Sequence, residues 1–557
     1  MSCCSEESKR FIENCKFSSR DKERYRLEQE AFVSNHGGTT SQEVVHVILP
    51  NICGVLLTIT TLGLYGKYLH RNVKIVIEFM LTVVPCILCC TILSEYVSNV
   101  CVFMIILSFI NIMLMRIKVH ALTSCILRPV KGKRPFVTNF RALSNIITVI
   151  CILAVDFRIF PRKFAKTEVF GYSLMDTGVG IFIIANALVS PEARDFSSQS
   201  KLGFFSTLSR NLKRPLKSSI PLLLLGCGKF LAIEFLGYQR HITEYGVHWN
   251  FFITLAFVKL FTRTITSTIN SRYSLLSGIW ILAMHEYILT NNGLKDWILS
   301  NEPRVDFITA NREGLMSIPG YVGLYLIGVA VGRLIHCTYL NLNLGTTLYP
   351  RKNIHITIFG YDLDASYNES MILCVKLSLI AAQACAATLF CDKYFRISRR
   401  LANAGYCSWI VTLCTMILTL LLLIEVVTDI LIYATTDHKI VDNKNDKVLE
   451  KMGEVKHKRH KAGFKTRKEN KQDIKQESSQ DLPVDSPIKR TLEIFEAVNY
   501  NGLIFFLSCN MLTGIINLLV STLYTGKNTA LQIMIAYMAV NIFFILILYR
   551  CQVQVKM

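Results

Sequence analysis

Runs of apolar residues, parted by short polar or charged stretches, recur along the whole chain, and that alternation outweighs every other pattern in it. A run of about 20 apolar residues spans the ~30 Å hydrocarbon core of a bilayer as one helix. Such windows lie near 47–66, 73–92, 98–115, 142–155, 173–190, 219–236, 249–262, 274–290, 316–332, 370–390, 402–433, 500–522 and 528–549. They predict an all-α polytopic membrane protein with about thirteen transmembrane helices. Residues 1–46 are polar and carry no cleavable signal, so the first spanning helix is expected to target the chain. The remaining divisions are a transmembrane core of about eleven helices at 47–433, a basic loop at 434–498, two last helices at 499–549 and a tail at 550–557.

Composition narrows the class. A chain of 557 residues that is 51% hydrophobic, with mean hydropathy +0.37, is too apolar for a soluble enzyme. A third of the net charge of +21 lies in residues 439–475, where thirteen Lys and Arg face six Asp and Glu without a periodic apolar face. This reads as a solvated loop drawn to anionic headgroups, and no nucleic-acid partner is implied. Most of the interest in the 19 Cys ends with their setting: Cys86, Cys89 and Cys90 sit in an apolar run, and no Cys/His spacing suits a metal. No metal and no cofactor are expected.

Charge also orients the chain. Odd-numbered loops such as "GKYLHRNVK" and "RDFSSQSKLGFFSTLSRNLKRPLK" are basic, whereas loops two, six and eight are neutral or slightly acidic. The positive-inside rule then places the N-terminus in the lumen and the C-terminus in the cytosol, against a positive excess in loops four and ten. The sequon Asn368–Ser370 falls on the cytosolic side and should stay unused. The N-terminal "EAFVSNHGGTTSQEV" and loops four, six and eight gather on the lumenal side.

Loop four is the most unusual of these. "VDFRIFPRKFAKTEVFGYSLMDTGVG", Val155–Gly180, sets Asp156, Arg158, Arg162, Lys163, Lys166, Glu168 and Asp176 at a membrane edge. Ionisable groups there are costly and face each other or a wet cavity. Pro161 forbids a regular helix, so the loop must fold back and can carry Lys166 toward Asp156. An alternative reading pairs Asp156 with Arg158 or Arg162 and makes Asp176 a cap or a partner of the loop cations. Loop six adds "HITEYGVHWNFF", with His248, Trp249 and Asn250, and loop eight closes on Asn311.

These segments resemble the inositol acyltransferases of glycosylphosphatidylinositol anchor synthesis, the GPI-anchored wall transfer protein family. The Val155–Gly180 stretch resembles that family's signature, and "EAFVSNHGGTT", "KGKRPFVTNFR", "EYGVHWNFF" and "NREGLMSIPGY" resemble its other motifs in the same order. The likeness runs from about residue 28 to the last helix. Arg158 departs from the family pattern, and residues 439–475 have no counterpart in it. The resemblance implies transfer of a fatty acyl group, typically palmitoyl, from acyl-CoA as co-substrate to the inositol 2-hydroxyl of glucosaminyl-phosphatidylinositol. It implies an endoplasmic reticulum membrane location, and with the lumenal placement of loop four the active site is expected to face the lumen. No obligate protein partner is expected, only the two substrates and membrane lipids.

By motif, Asp156 and Lys166 are the expected catalytic pair. Asp156 suits the proton acceptor that a poorly nucleophilic hydroxyl needs. Lys166 suits either the thioester oxyanion or an ion pair that keeps Asp156 charged. Arg158, Arg162 and Lys163 are candidates for phosphate contacts or for lumenal headgroups. Glu168, Asp176, His248, Trp249, Asn250 and Asn311 complete the expected substrate-binding set. Two other classes fit parts of the pattern: a lipid transporter or flippase, which should show broken helices near the midplane, and a membrane-bound O-acyltransferase using His248 as its base.

Overall fold

The computed structural model describes residues 19–34, 36–115, 135–194, 219–231, 242–291, 293–300, 302–343, 353–358, 361–366, 369–435 and 488–555. The Lys-rich stretch 439–475 and Asn368 of the sequon lie outside them.

A polar helix, α1 (Ser19–Val33), precedes thirteen apolar helices: α2 (Ser41–Tyr65), α3 (Arg71–Cys90), α4 (Val97–Leu114), α5 (Pro135–Ala154), α6 (Leu174–Leu188), α7 (Ser219–Leu231), α8 (Phe251–Thr268), α9 (Ser274–Asn291), α10 (Ile318–Asn343), α11 (Glu369–Phe395), α12 (Ala404–Thr435), α13 (Gly502–Leu519) and α14 (Lys527–Arg550). Each apolar window of the sequence therefore became a helix. Not all are long enough to cross. Among the described residues, nine helices have the length and composition of a span. Helix α6 has 15 residues, about 22 Å at 1.5 Å per residue, and α7 is also short. Helices α8 and α9 meet at a 116° bend. The break is local: Ile269 is extended, and the Asn270 side chain accepts from Arg272 N to start a new turn.

Sequence placed the N-caps that fix where helices near the cavity begin. The Thr40 side chain accepts from Glu43 N to start α2, and Ser173 accepts from Asp176 N to start α6. Asn250 accepts from Phe252 N and Ile253 N to start α8. Of the spans, α10 and α5 are the most buried, while α11, lying mainly along α12, and α13 leave most of their surface to lipid. Helix α6 is drawn tight against α10 because Gly328 and Gly332 leave no side chain between them; a Cβ on Gly328 would sit 2.7 Å from that of Ala187.

One correction to an all-helical reading is small. Loop nine contains a two-stranded antiparallel hairpin, β1 (Asn353–Ile358) with β2 (Tyr361–Ser366), registered from Asn353 opposite Ser366 to Ile358 opposite Tyr361. The alternation of Ile354, Ile356 and Ile358 is a strand pattern too short for a hydropathy window to register.

Candidate active site

Residues 155–173 do fold back at the end of α5. Arg162 is the reason they hold a shape. Its guanidinium donates to Val155 O (2.9 Å), Phe157 O (2.9 Å) and Phe160 O (3.0 and 3.1 Å), and it lies 4.0 Å from the centre of the Phe32 ring. One side of the loop is stitched to residues 36–39: Thr39 N donates to Tyr172 O (2.7 Å) and Glu168 N to His36 O (3.1 Å). The other side is stitched to residues 397–398, with Gly171 N donating to Ile397 O (3.0 Å) and Ser398 Oγ to Val169 O (2.6 Å). Gly171 has φ +130°, and a Cβ there would lie 2.6 Å from Gly37 O, so glycine is required at this crossing.

The loop roofs a cavity of about 1180 Å³ bounded by α5, α6, α7, α8 and α13. Its body is apolar, with Leu143 and Ile147 from α5, Leu224 from α7, and Leu507 and Met511 from α13. It follows α5 from Phe140 to Ile152, about 18 Å. Its polar end gathers Asp156, Lys166, Glu168, Lys229, Glu244 and Arg399.

Around that end the charges form a chain. Lys166 Nζ lies 2.7 Å from Glu244 Oε2, and Arg399 Nη1 lies 3.3 Å from Glu244 Oε1. Arg399 Nε is also 2.7 Å from Asp176 Oδ1. The second Asp176 oxygen accepts from Thr167 N (3.2 Å) and Thr167 Oγ1 (2.7 Å). Burial disfavours charge on Arg399, but Glu244 and Asp176 outweigh it and hold the guanidinium protonated well above its ordinary range. Asp156 stands apart from this chain. Its Oδ2 accepts from Asn517 Nδ2 of α13 at 2.7 Å. Burial pushes its carboxyl up to about 6, against the Asn517 bond and the fields of Arg162 and Lys166.

The expected site residues thus separate into two groups. Asp156, Lys166, Glu168, Trp249 and Asn250 all line the cavity. Glu168 also approaches Arg400 at 4.0 Å, while Trp249 Nε1 donates to Thr254 Oγ1 (2.9 Å), and Asn250 is the α8 cap. The others are placed elsewhere. Arg162 is committed to backbone carbonyls, Lys163 pairs with Glu43 at 3.2 Å, and Arg158 is exposed, 5.9 Å from the centre of the Tyr524 ring. Asp176 is buried behind the roof. His248 is exposed and stacks on Phe307 instead of lining the cavity, its backbone N held by Asn311 Oδ1 at 2.8 Å. Asn311, fully buried, shapes the 246–248 turn from behind.

Glu244, Arg399 and Asn517 were not singled out from sequence. The one sequence signal at Glu244 is its place four residues before His248 in loop six. Arg399 and Arg400 had a signal, the positive excess of loop ten that broke the charge rule. Arg400 Nη2 is 2.9 Å from the buried Glu313, so both arginines answer acids of the fold.

The chain is similar to known proteins along most of its length. The chain is 30% identical to the bovine glucosaminyl-phosphatidylinositol-acyltransferase PIGW over 550 residues, covering 94% of this chain and 97% of the relative. It is 32% identical to GPI-anchored wall transfer protein 1 of Gibberella zeae, covering 73% of this chain and 71% of that one. A plant relative, uncharacterized protein At4g17910 of Arabidopsis thaliana, is 31% identical over 84% of this chain and 86% of its own length. The model of the GWT1 family matches residues 25–548, from within α1 to the last turn of α14, and the chain belongs to that family.

Proposed function

We propose that the protein is an acyl-CoA-dependent glucosaminyl-phosphatidylinositol acyltransferase that acylates the inositol 2-hydroxyl in GPI-anchor biosynthesis. The observation that carries this reading is the cavity itself: an apolar corridor between helices that ends at an ionisable carboxyl and an ammonium. A fatty chain fits the corridor, and the thioester would stand at its charged end.

In the reaction the inositol oxygen forms a C–O bond to the thioester carbonyl carbon as its proton passes to Asp156. The carbonyl oxygen takes up negative charge and loses it again when the C–S bond breaks. CoA leaves as thiolate and is protonated, restoring the Asp156 carboxylate. A carboxyl with a raised pKa is a competent acceptor near neutral pH, because acceptor strength and ionised fraction are both adequate there. Lys166 stands in reach of the same end of the cavity to meet the developing oxyanion. Direct transfer, with no acyl-enzyme, is favoured because Ser144 and Cys151, which line the cavity, are not set beside a base: Ser144 Oγ donates to Phe140 O at 2.7 Å, and the Cys151 thiol lies against Cys90. Asp156 is preferred to His248 as base because only Asp156 faces the cavity.

We place the reaction in the endoplasmic reticulum membrane, with the roof loop on the lumenal side, following the charge bias of the loops. The test is transfer of labelled palmitate from palmitoyl-CoA to glucosaminyl-phosphatidylinositol by purified full-length protein. Product that is labelled on inositol supports the reading. A folded protein that gives none with any of several acyl-CoAs overturns it.

A further inference from the structure

Lys166 has two carboxylates within its surroundings, and it is bound to the one farther away in sequence. Asp156 lies ten residues earlier on the same loop, yet the ammonium sits 2.7 Å from Glu244 on the 242–245 turn. We propose that Glu244 is a positioning residue for acyl transfer, holding the Lys166 ammonium beside the cavity as an independent donor and off the Asp156 carboxylate. The inference rests on the acyltransferase reading above.

The geometry is a closed ring. Lys166 reaches Glu244, Glu244 reaches Arg399, Arg399 reaches Asp176, and Asp176 accepts from both the amide and the hydroxyl of Thr167. Thr167 is the next residue after Lys166, so the peptide bond closes the circuit. Both the head and the backbone of Lys166 are therefore fixed by one network. The ring holds two cations and two anions, so nothing within it draws Lys166 toward a third carboxylate. Its strands come from four separate parts of the fold: the roof loop, the 242–245 turn, the 396–403 turn and α6.

An ammonium placed on Asp156 instead would undo both roles. The carboxylate would become a weaker base, and the ammonium would be occupied when charge develops on the thioester oxygen. Asn517 complements the arrangement, since its amide gives Asp156 a hydrogen bond without a formal charge. Glu244 also feels Lys229 of α7 and the Tyr245 and Tyr321 hydroxyls, and Asp156 feels Arg162, so the comparison below must leave these in place.

The experiment is steady-state acyl transfer across pH by the reconstituted full-length protein and its Glu244→Gln and Glu244→Asp variants. With the charge of Glu244 removed, Lys166 turns to Asp156. The expected result for Glu244→Gln is a kcat lowered by about 10- to 100-fold with both KM values within about threefold. The acidic limb of kcat/KM should move about one unit to lower pH, because the neighbouring ammonium now favours the carboxylate. Glu244→Asp should recover most of the rate. A loss of rate with an unmoved limb overturns the proposal and leaves Glu244 a packing residue, as does an unchanged rate. If Glu244→Gln yields no folded protein, Glu244→Ser, which removes the charge with less bulk, decides: a limb displaced to lower pH supports the proposal, and a wild-type limb overturns it. An inactive wild type would instead defeat the acyltransferase reading itself.

Discussion

Two carboxylates at membrane edges of this protein have opposite surroundings. Glu493 lies between two guanidiniums, with Arg71 Nη2 at 2.8 Å and Arg550 Nε at 3.2 Å, and ties α3 and α14 to the short helix Glu493–Tyr500. Among the described residues, Asp156 accepts a hydrogen bond from the Asn517 amide alone, and it opens onto a cavity. Burial acts on both. At Glu493 the two arginines outweigh it and hold the carboxyl below its ordinary range, whereas at Asp156 it prevails and the carboxyl rises to about 6. Charge at the membrane edge is therefore not by itself a sign of chemistry. A carboxylate saturated by cations works as a fastener, and one left with a neutral partner beside open space keeps a proton affinity that a reaction can use.

Substitutions sharpen the contrast in order of expected size. Asp156→Asn preserves the Asn517 contact in shape but removes the base, and acyl transfer should fall by about 10² to 10⁴-fold in protein that remains folded by thermal denaturation. Retained activity would break the comparison at its more important end. Gly514 of α13 lines the apolar corridor with nothing within 4 Å of where its Cβ would be. Gly514→Trp should cut transfer from palmitoyl-CoA by roughly tenfold or more while sparing a short-chain acyl-CoA, since one poorly accommodated group costs about that much. Equal losses with both donors would detach the corridor from the acyl chain.

A smaller effect is the pH limb. Transfer requires ionised Asp156, so kcat/KM should be half-maximal near pH 6 and decline below it, and a limb near pH 4 would mean that burial does not control this group. Smallest in rate is Glu493→Gln. Activity should stay within about twofold while stability drops by about 1.5 kcal/mol, read from thermal denaturation in detergent. The stabilisation from the Glu493 carboxylate, whose folded pKa is lowered, is present at neutral pH and disappears only as strong acid protonates it.

Hydropathy was sufficient to find every apolar helix, because burial in lipid imposes a long unbroken pattern. It was blind to what ends or bends them. The short α6 and the sharp turn between α8 and α9 depend on caps such as Ser173 and Asn270, single residues that a 20-residue average dilutes. At the site, Asp156 and Lys166 were legible because their charges stand beside an apolar run. Their partners were not: Lys166 meets Glu244 78 positions away, and Arg399 meets Asp176 at a separation of 223. Loop four and loop ten looked like exceptions to the charge rule, yet several of their cations answer acids inside the fold. Lys163 meets Glu43, Lys166 meets Glu244, and Arg399 and Arg400 meet Asp176 and Glu313. A count of loop charges treats every lysine and arginine as facing headgroups, and here that assumption fails.

The Asn517 contact has a consequence for biosynthesis. The two side chains are 361 positions apart, so Asp156 is inserted at the edge of the bilayer long before its hydrogen-bond donor leaves the ribosome. Through the translation of seven further helices, α6 to α12, and the Lys-rich stretch, the nascent protein holds a carboxyl without its final partner. A transcript truncated between α12 and α13 yields the whole roof loop and most of the cavity, but never a finished site.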